Sequence, residues 1–270
     1  MIGVGQTMDK DAIRQTAHRL ADAARAAVLP HFRSSTLSAD NKLDGGGFDP
    51  VTEADRAAER RMREILAEER PQDGILGEEY DLSPGTSGLT WVLDPVDGTR
   101  AFLSGTPTWG VLIALADASG PVYGLIDQPY IGERFEGGFG HAGMTGPQGA
   151  RALATRGDRP LSESILFTTF PEVGTPGEGA AFAELSRQVR LTRYGLDCYA
   201  YALVAAGQID LVVEAGLQPY DIQAPIAVIE AAGGIVTDWR GNPAHTGGRV
   251  VAAAGCEQHV AALDILSSVV

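Results

Sequence analysis

The run WVLDPVDGTRAF, residues 91–102, decides how this chain is read. Trp91, Val92 and Leu93 have the apolar, β-prone character of a buried strand. Pro95 forces Asp94 into an extended conformation and has no N–H with which to continue a ladder, so the strand is predicted to end there. Asp97-Gly98 is a strong turn signal. Two carboxylates are thus expected just past a strand end, on a stiff bend. So close a pair repels and raises one pKa unless a cation lies between its members. Carboxylate oxygens with few or no His or Cys ligands suit Mg2+ or Mn2+ better than zinc.

Working outward, acids recur in similar contexts. Glu78 and Glu79 end the apolar run ILG, and Asp221 opens the helical pattern IQAPIAVIEAAGG. With Asp94 and Asp97 they make four to five acids at element ends, enough for a two-metal centre that clamps a phosphoryl group during in-line displacement. Gly98 and Thr99 fit a second task. Their backbone N–H groups can receive phosphate oxygens where the chain turns, and the Thr99 hydroxyl can hold a water. Each feature alone has a plainer reading. A DPxDG run is commonly a turn, Glu78-Glu79 a solvated strand end, and Asp221 a helix N-cap. So many acids at element ends beside a Gly-Thr turn weigh against all of these at once.

The rest of the chain supplies the frame. Residues 9–32 carry Ile13, Ala17, Leu20, Ala24 and Val28 at helical spacing. Residues 38–50 read as a loop with consecutive glycines at 45–47, and residues 52–69 as a second helix capped near Thr52 or Glu53 and ended by Pro71. LTWVL, WGVLIALAD, PVYGLID and ERFEGGFG are β signals divided by turns, which predicts a sheet made largely of hairpins. From about residue 149 strands and helices alternate, which predicts a sheet covered by helices. The expected fold class is therefore α/β (α+β), with an N-terminal lobe over 1–150, a C-terminal lobe over 151–270 and a boundary near 145–155.

Composition narrows the class. The chain has 270 residues, 44% of them apolar, and is long enough for one large core or two lobes. Its formal net charge of −14 argues against nucleic acid or an anionic membrane as partner. The plain meaning of such acidity is solubility; a sharper one is that carboxylates neutralise bound cations. Cys198 and Cys256 both sit among apolar neighbours, which is expected of a reduced, cytoplasmic protein. No apolar run approaches a membrane span, and no signal peptide is visible. The motifs GxSxG, HExxH, CxxC and GxxxxGK[ST] are missing from the sequence, and its five histidines show no ligand spacing.

The set DPVTEAD (49–55), GEE (77–79), WVLDPVDGT (91–99) and YDIQAP with EAAGG (220–234) resembles the magnesium-dependent, lithium-sensitive inositol-monophosphatase-like phosphatases, in order and over nearly the whole chain. One departure is Tyr220, where that family usually has Trp. The resemblance implies a layered αβαβα sandwich, usually dimeric, holding two or three Mg2+ ions. Carried over by position, it implies that Glu78, Asp94 and the Val96 carbonyl hold a first ion, and that Asp94, Asp97 and Asp221 hold a second. Glu78 and Thr99 would orient and deprotonate the attacking water, with Asp55 steadying Thr99. Lys42 and the 45–47 loop resemble a segment that closes over a third ion.

Within the family, GLIDQPYIGERFEG (124–137) and RYGLDCYAYALVAAGQIDLVVEAGL (193–217) are most similar to the histidinol-phosphate phosphatase branch, which serves histidine biosynthesis. Asp197 follows Gly195-Leu196, where the inositol enzymes have a small neutral residue, though a helix N-cap is its simplest role. Glu214 ends the strand IDLVVE and is expected to face the same cleft. Two acids near the leaving group suit a cationic substrate such as an amino-imidazole alcohol. A polyol asks for neutral hydroxyl partners, although Glu214 can also bind a hydroxyl. Gly195 and Arg193 are further substrate-side candidates, Arg193 serving either the phosphate or a dimer contact. The rival readings are an inositol or broad sugar-phosphate phosphatase and, from another class, a metal-binding scaffold without catalysis. Glu78, Thr99 and Asp55 speak against the scaffold, since binding alone does not require a water-orienting threonine.

Overall fold

The structure is a computed structural model that describes residues 9–35, 37–41 and 50–267. In chain order its elements begin with α1 (Lys10–Val28), β1 (Ala39–Asn41), β2 (Pro50–Thr52), α2 (Glu53–Glu69), β3 (Gly74–Gly77), β4 (Thr90–Asp97) and α3 (Thr99–Ser104). A run of strands follows: β5 (Gly110–Asp117), β6 (Gly120–Gln128), β7 (Glu133–Gly138), β8 (His141–Gly146) and β9 (Gly149–Ala152). The last part holds β10 (Ile165–Thr168), α4 (Pro176–Gln188), β11 (Leu191–Tyr194), α5 (Cys198–Ala205) and β12 (Leu211–Leu217). It ends with α6 (Pro219–Ala231), β13 (Ile235–Thr237), β14 (Gly248–Ala253) and α7 (Cys256–Leu266).

Local chemistry explains where the first helices start. The Asp9 carboxylate accepts the Ala12 N–H at 3.0 Å and begins α1. Thr52 caps α2, and Asp55 returns a bond to the Thr52 N–H at 2.9 Å, closing a capping box. Both helices turn an apolar stripe to one face of a seven-stranded sheet of order β3-β4-β5-β6-β7-β8-β9, in which only the β3–β4 pair is parallel. Alternation along β5 divides two cores. Val111, Ile113 and Leu115 join α1 and α2, while Leu112, Ala114 and Ala116 face α5 and α6. Gly124 and Gly137 let α6 lie directly on the sheet, since a Cβ would fall 2.4 Å from the Ala224 carbonyl and 2.6 Å from the Val228 Cα.

The second sheet, β11-β10-β12-β14-β13, covers the other side of α5 and α6. Its strands alternate likewise: Val212 and Ala252 point to the middle helices, and Leu211, Val213, Val251 and Ala253 point to α4 and α7. Three apolar cores thus bind five layers in the order helix, sheet, helix, sheet, helix, which is the αβαβα sandwich that the resemblance implied.

Several expectations need correction. The strand at Trp91 does not stop at Pro95; β4 continues to Asp97 with a register shift between Asp94 and Asp97, so the missing N–H is absorbed in a bulge. The segment read as loop from 38 contains β1, paired antiparallel with β2, and the rest of that loop, with Lys42 and Gly45–Gly47, lies outside the described residues. Strands β8 and β9 and the short α3 were not anticipated. Their sequences, HAGMTG, GARA and TRAFLS, are too short or too rich in glycine to show a period. Cys256 is exposed at the start of α7, and only Cys198 is buried.

A charge network ties α1 to the first sheet. Glu136 on β7 accepts from Arg14 at 2.9 Å and from the Tyr123 hydroxyl at 2.6 Å, and lies 3.2 Å from His18 and 3.3 Å from His141. His18 is half-buried in this network. Burial alone would raise the Glu136 pKa. Hydrogen bonds from His18, Arg14 and Tyr123 outweigh it and hold the carboxyl well below the ordinary range.

Candidate active site

Three element ends bring acids to one cleft of about 440 Å3, lined by Glu78, Asp94, Val96, Asp97, Gly98, Thr99, Asp197, Glu214 and Asp221 among others. Asp94 and Asp97 come from the bulged end of β4, Glu78 from the residue after β3, and Asp221 from the first turn of α6. One oxygen from each of Asp94, Asp97 and Asp221 lies within 4.8 Å of the others. The Asp94 carboxyl is driven well above its ordinary pKa by burial, then by the charges of Glu78, Asp97 and Asp221. Asp97 is raised by burial and by Asp197 and Asp221, while the Cys198 N–H, donating at 2.6 Å, works the other way. Among the described residues, no Lys or Arg forms an ion pair with Asp94 or Asp97. The donors are hard oxygens, converging and mutually repelling, so the set fits a divalent cation of the Mg2+ or Mn2+ type.

Asp221 is not the N-cap that the sequence offered as its plain role. It sits at the third position of α6 and accepts the Gln218 N–H at 2.7 Å, which anchors the carboxyl at the cleft. Gly98 has φ +84°, and a Cβ there would lie 2.7 Å from the Asp197 carboxyl carbon, so backbone and side chain meet only because the residue is glycine. The Thr99 hydroxyl lies 3.2 Å from the Val96 carbonyl and 3.4 Å from Asp55 Oδ1. With those acceptors competing for its one proton, its lone pairs are free to receive a donor such as water.

The cleft is also lined by Asp197 and Glu214. Asp197 has φ +49°, unusual for a non-glycine residue, and its side chain makes no cap bond to α5. Its carboxylate instead accepts the Thr108 hydroxyl at 3.1 Å. Burial pushes the Asp197 carboxyl up to about 6; the Thr108 hydroxyl opposes that shift and the charge of Glu214 adds to it. The place of N-cap is taken across space by Asp97 through the Cys198 N–H. Glu214 is buried on β12, with one oxygen held by the Thr169 N–H and hydroxyl and the other by the Tyr201 hydroxyl at 2.7 Å. Gly195 and Arg193 are exposed on and just after the edge strand β11 and do not line the cleft.

Thr108, Thr169 and Tyr201 were missed from sequence. Tyr201 had a usable signal, four residues after Asp197 and so on the same helical face. Thr108 and Thr169 had none, since a hydroxyl on a loop or strand end has no distinguishing pattern.

Five layers with a carboxylate-floored cleft place the molecule in a class of layered α/β phosphatases. The inositol monophosphatase family profile matches residues 9–269, and the chain belongs to that family, whose metal-dependent members act on small phosphorylated substrates. It is 37% identical over 267 residues to the bifunctional phosphatase IMPL2, chloroplastic, of Arabidopsis thaliana, covering 95% of this chain and 75% of that one. It is 36% identical over 246 residues to a histidinol-phosphatase of Streptomyces coelicolor, covering 88% and 91%. An inositol monophosphatase from Zymomonas mobilis superposes with a TM-score of 0.84 at 39% identity, over 97% of this chain and 100% of that one.

Proposed function

We propose that this chain is a Mg2+-dependent histidinol-phosphate phosphatase of histidine biosynthesis, a cytoplasmic homodimer for which Mn2+ can replace Mg2+. The observation that supports the substrate choice is the pair Asp197 and Glu214 lining the same cleft as the metal-type carboxylates. The backbone strain and burial accepted at Asp197 are understandable if its charge is used on a cationic leaving group. Similarity to a histidinol-phosphatase supports the same choice.

In this reading Glu78, Asp94, Asp97, Asp221 and the Val96 carbonyl would hold the ions, which would supply positive charge for the phosphoryl oxygens and the departing alkoxide. Gly98 and Thr99 N–H groups donate to phosphate oxygens. Thr99 Oγ1, with its proton toward Asp55 or Val96, and the Glu78 carboxylate orient the attacking water, and the carboxylate takes its proton. The water oxygen bonds to phosphorus as the ester P–O bond breaks, and the departing alkoxide takes a proton from a water in the cleft, giving inorganic phosphate and the alcohol. No single side chain supplies an acceleration of the size phosphate monoesters need, up to ~10²¹; position and electrostatics must act together.

An inositol-phosphate or broad sugar-phosphate phosphatase is the second reading, favoured by the Zymomonas likeness and by the hydroxyl-bonded Glu214. A side-by-side kcat/KM for histidinol phosphate and inositol 1-phosphate with Mg2+ tests the choice. A clear preference for the inositol ester overturns the histidinol reading, and failure to release phosphate from either ester or from p-nitrophenyl phosphate favours the scaffold. Exposed Leu191 and Tyr194 on the edge strand β11 support the dimer, which light scattering checks.

A further inference from the structure

We propose that Glu59, on the middle of α2, is a positioning residue that sets Glu78 against Thr99; the proposal rests on the phosphatase reading of the cleft. Glu59 is fully buried and lies one helical turn after Asp55, on the same face of the helix. Asp55 reaches Thr99 from that face. Glu59 reaches the other half of the site. Its Oε2 accepts the Glu79 N–H at 2.7 Å, and its Oε1 accepts from Arg63 at 2.8 Å.

The neighbouring residue is shaped to the same carboxylate. A Cβ on Gly77 would fall 1.9 Å from Glu59 Oε1, so only glycine lets the chain run across it. Glu78 is therefore held between two residues that both rest on Glu59, while its own N–H donates to the Leu93 carbonyl at 3.2 Å. Arg63 extends the clamp, donating to the carbonyls of Tyr80 and Asp81 at 3.0 and 3.1 Å and to the Ser83 hydroxyl at 3.0 Å. One rigid helix thereby fixes both groups assigned to the attacking water, Thr99 through Asp55 and Glu78 through Glu59. Sites held to a fraction of an ångström need such support. A merely structural ion pair between Glu59 and Arg63 would affect stability alone.

The test compares Glu59→Ala, Glu59→Gln, Gly77→Ala and the double variant Glu59→Ala/Gly77→Ala. Mn2+ binding is read directly from the free-ion EPR signal. kcat and KM are measured with p-nitrophenyl phosphate, and folding by thermal unfolding. Glu59→Ala is expected to weaken Mn2+ binding and lower kcat by about tenfold or more each, with KM little changed. Glu59→Gln, which keeps an acceptor for the Glu79 N–H, recovers part of both. Gly77→Ala reproduces the loss with the ion pair present, and the double variant is no worse than Glu59→Ala alone because both act on one contact. A folded Glu59→Ala with wild-type Mn2+ affinity and kcat overturns the proposal. Should Glu59→Ala not fold, Gly77→Ala decides, and wild-type behaviour there overturns it equally. A wild type that binds Mn2+ but releases no phosphate overturns the phosphatase reading, and the binding measurements on the variants still decide whether Glu59 positions the ligand.

Discussion

Two groups of buried carboxylates in this molecule are built on opposite principles. Glu136 is ringed by Arg14, His18, His141 and Tyr123, and its pKa falls. Asp94 and Asp97 are surrounded by other acids, and their pKa values rise. The first arrangement fastens a helix to a sheet and is complete within the chain. The second costs stability in the isolated chain and makes sense only with a cation added from outside. Carboxylates whose charge is compensated locally belong to the fold; those whose charge is left over belong to the chemistry.

The largest effect that would sharpen this contrast is at Asp94. Asp94→Asn is expected to lower kcat by about a thousandfold or more while the fold is kept. The same change should raise the Tm of the metal-free protein, because it removes a repelled charge. Steady-state kinetics and differential scanning calorimetry check the two halves; a variant with normal kcat would break the contrast at its functional end.

Next in size is substrate choice. Asp197→Asn keeps the hydrogen-bonding shape and removes the charge. It is expected to cost about tenfold or more in kcat/KM on histidinol phosphate and far less on p-nitrophenyl phosphate. Equal losses on both would show that Asp197 acts on the metal side and not on the leaving group. Tyr201→Phe, which frees one Glu214 oxygen from its hydroxyl partner, should act in the same direction at about threefold to tenfold.

Glu136→Gln probes the opposite group. It should lower stability by about 2 kcal/mol and leave kcat unchanged, as read by denaturant unfolding and turnover. The pH dependences also part. Glu136 has a depressed folded pKa, so its contribution is complete above the ordinary glutamate value of 4.5 and is lost as pH falls below it. Asp94 and Asp97 have raised values, so in the metal-free protein their burden is absent in acid, grows as pH rises above the ordinary aspartate value of 3.8 and levels off above the raised values. Unfolding followed against pH without divalent ions, in wild type and Glu136→Gln, separates the two trends.

Much of this was legible in the sequence because it rests on local pattern. Apolar spacing located α1, a capping residue and Pro71 bounded α2, β-prone runs between turns located β4 to β7, and DPVDGT marked the acids. What was not legible depends on contacts across the chain. Pro95 stops a ladder in isolation, yet β5 carries β4 past it through a bulge. Asp197 reads as an N-cap beside its own helix, yet Asp97, far away in sequence, supplies that bond and frees Asp197 for the cleft. Glu59 reads as one more charge on an amphipathic helix. Its full burial and its grip on Glu79 follow only from the packing of α2 against the end of β3.

The convergence of Asp94, Asp97 and Asp221 into a cage for a divalent ion is tested most directly by the thermal shift that Mg2+ produces at neutral pH. Saturating Mg2+, at about 100 times its dissociation constant, should stabilise the wild type by about 2.7 kcal/mol and raise its Tm, with little or no shift in Asp94→Asn. No shift in the wild type, or an equal shift in both proteins, would contradict the account.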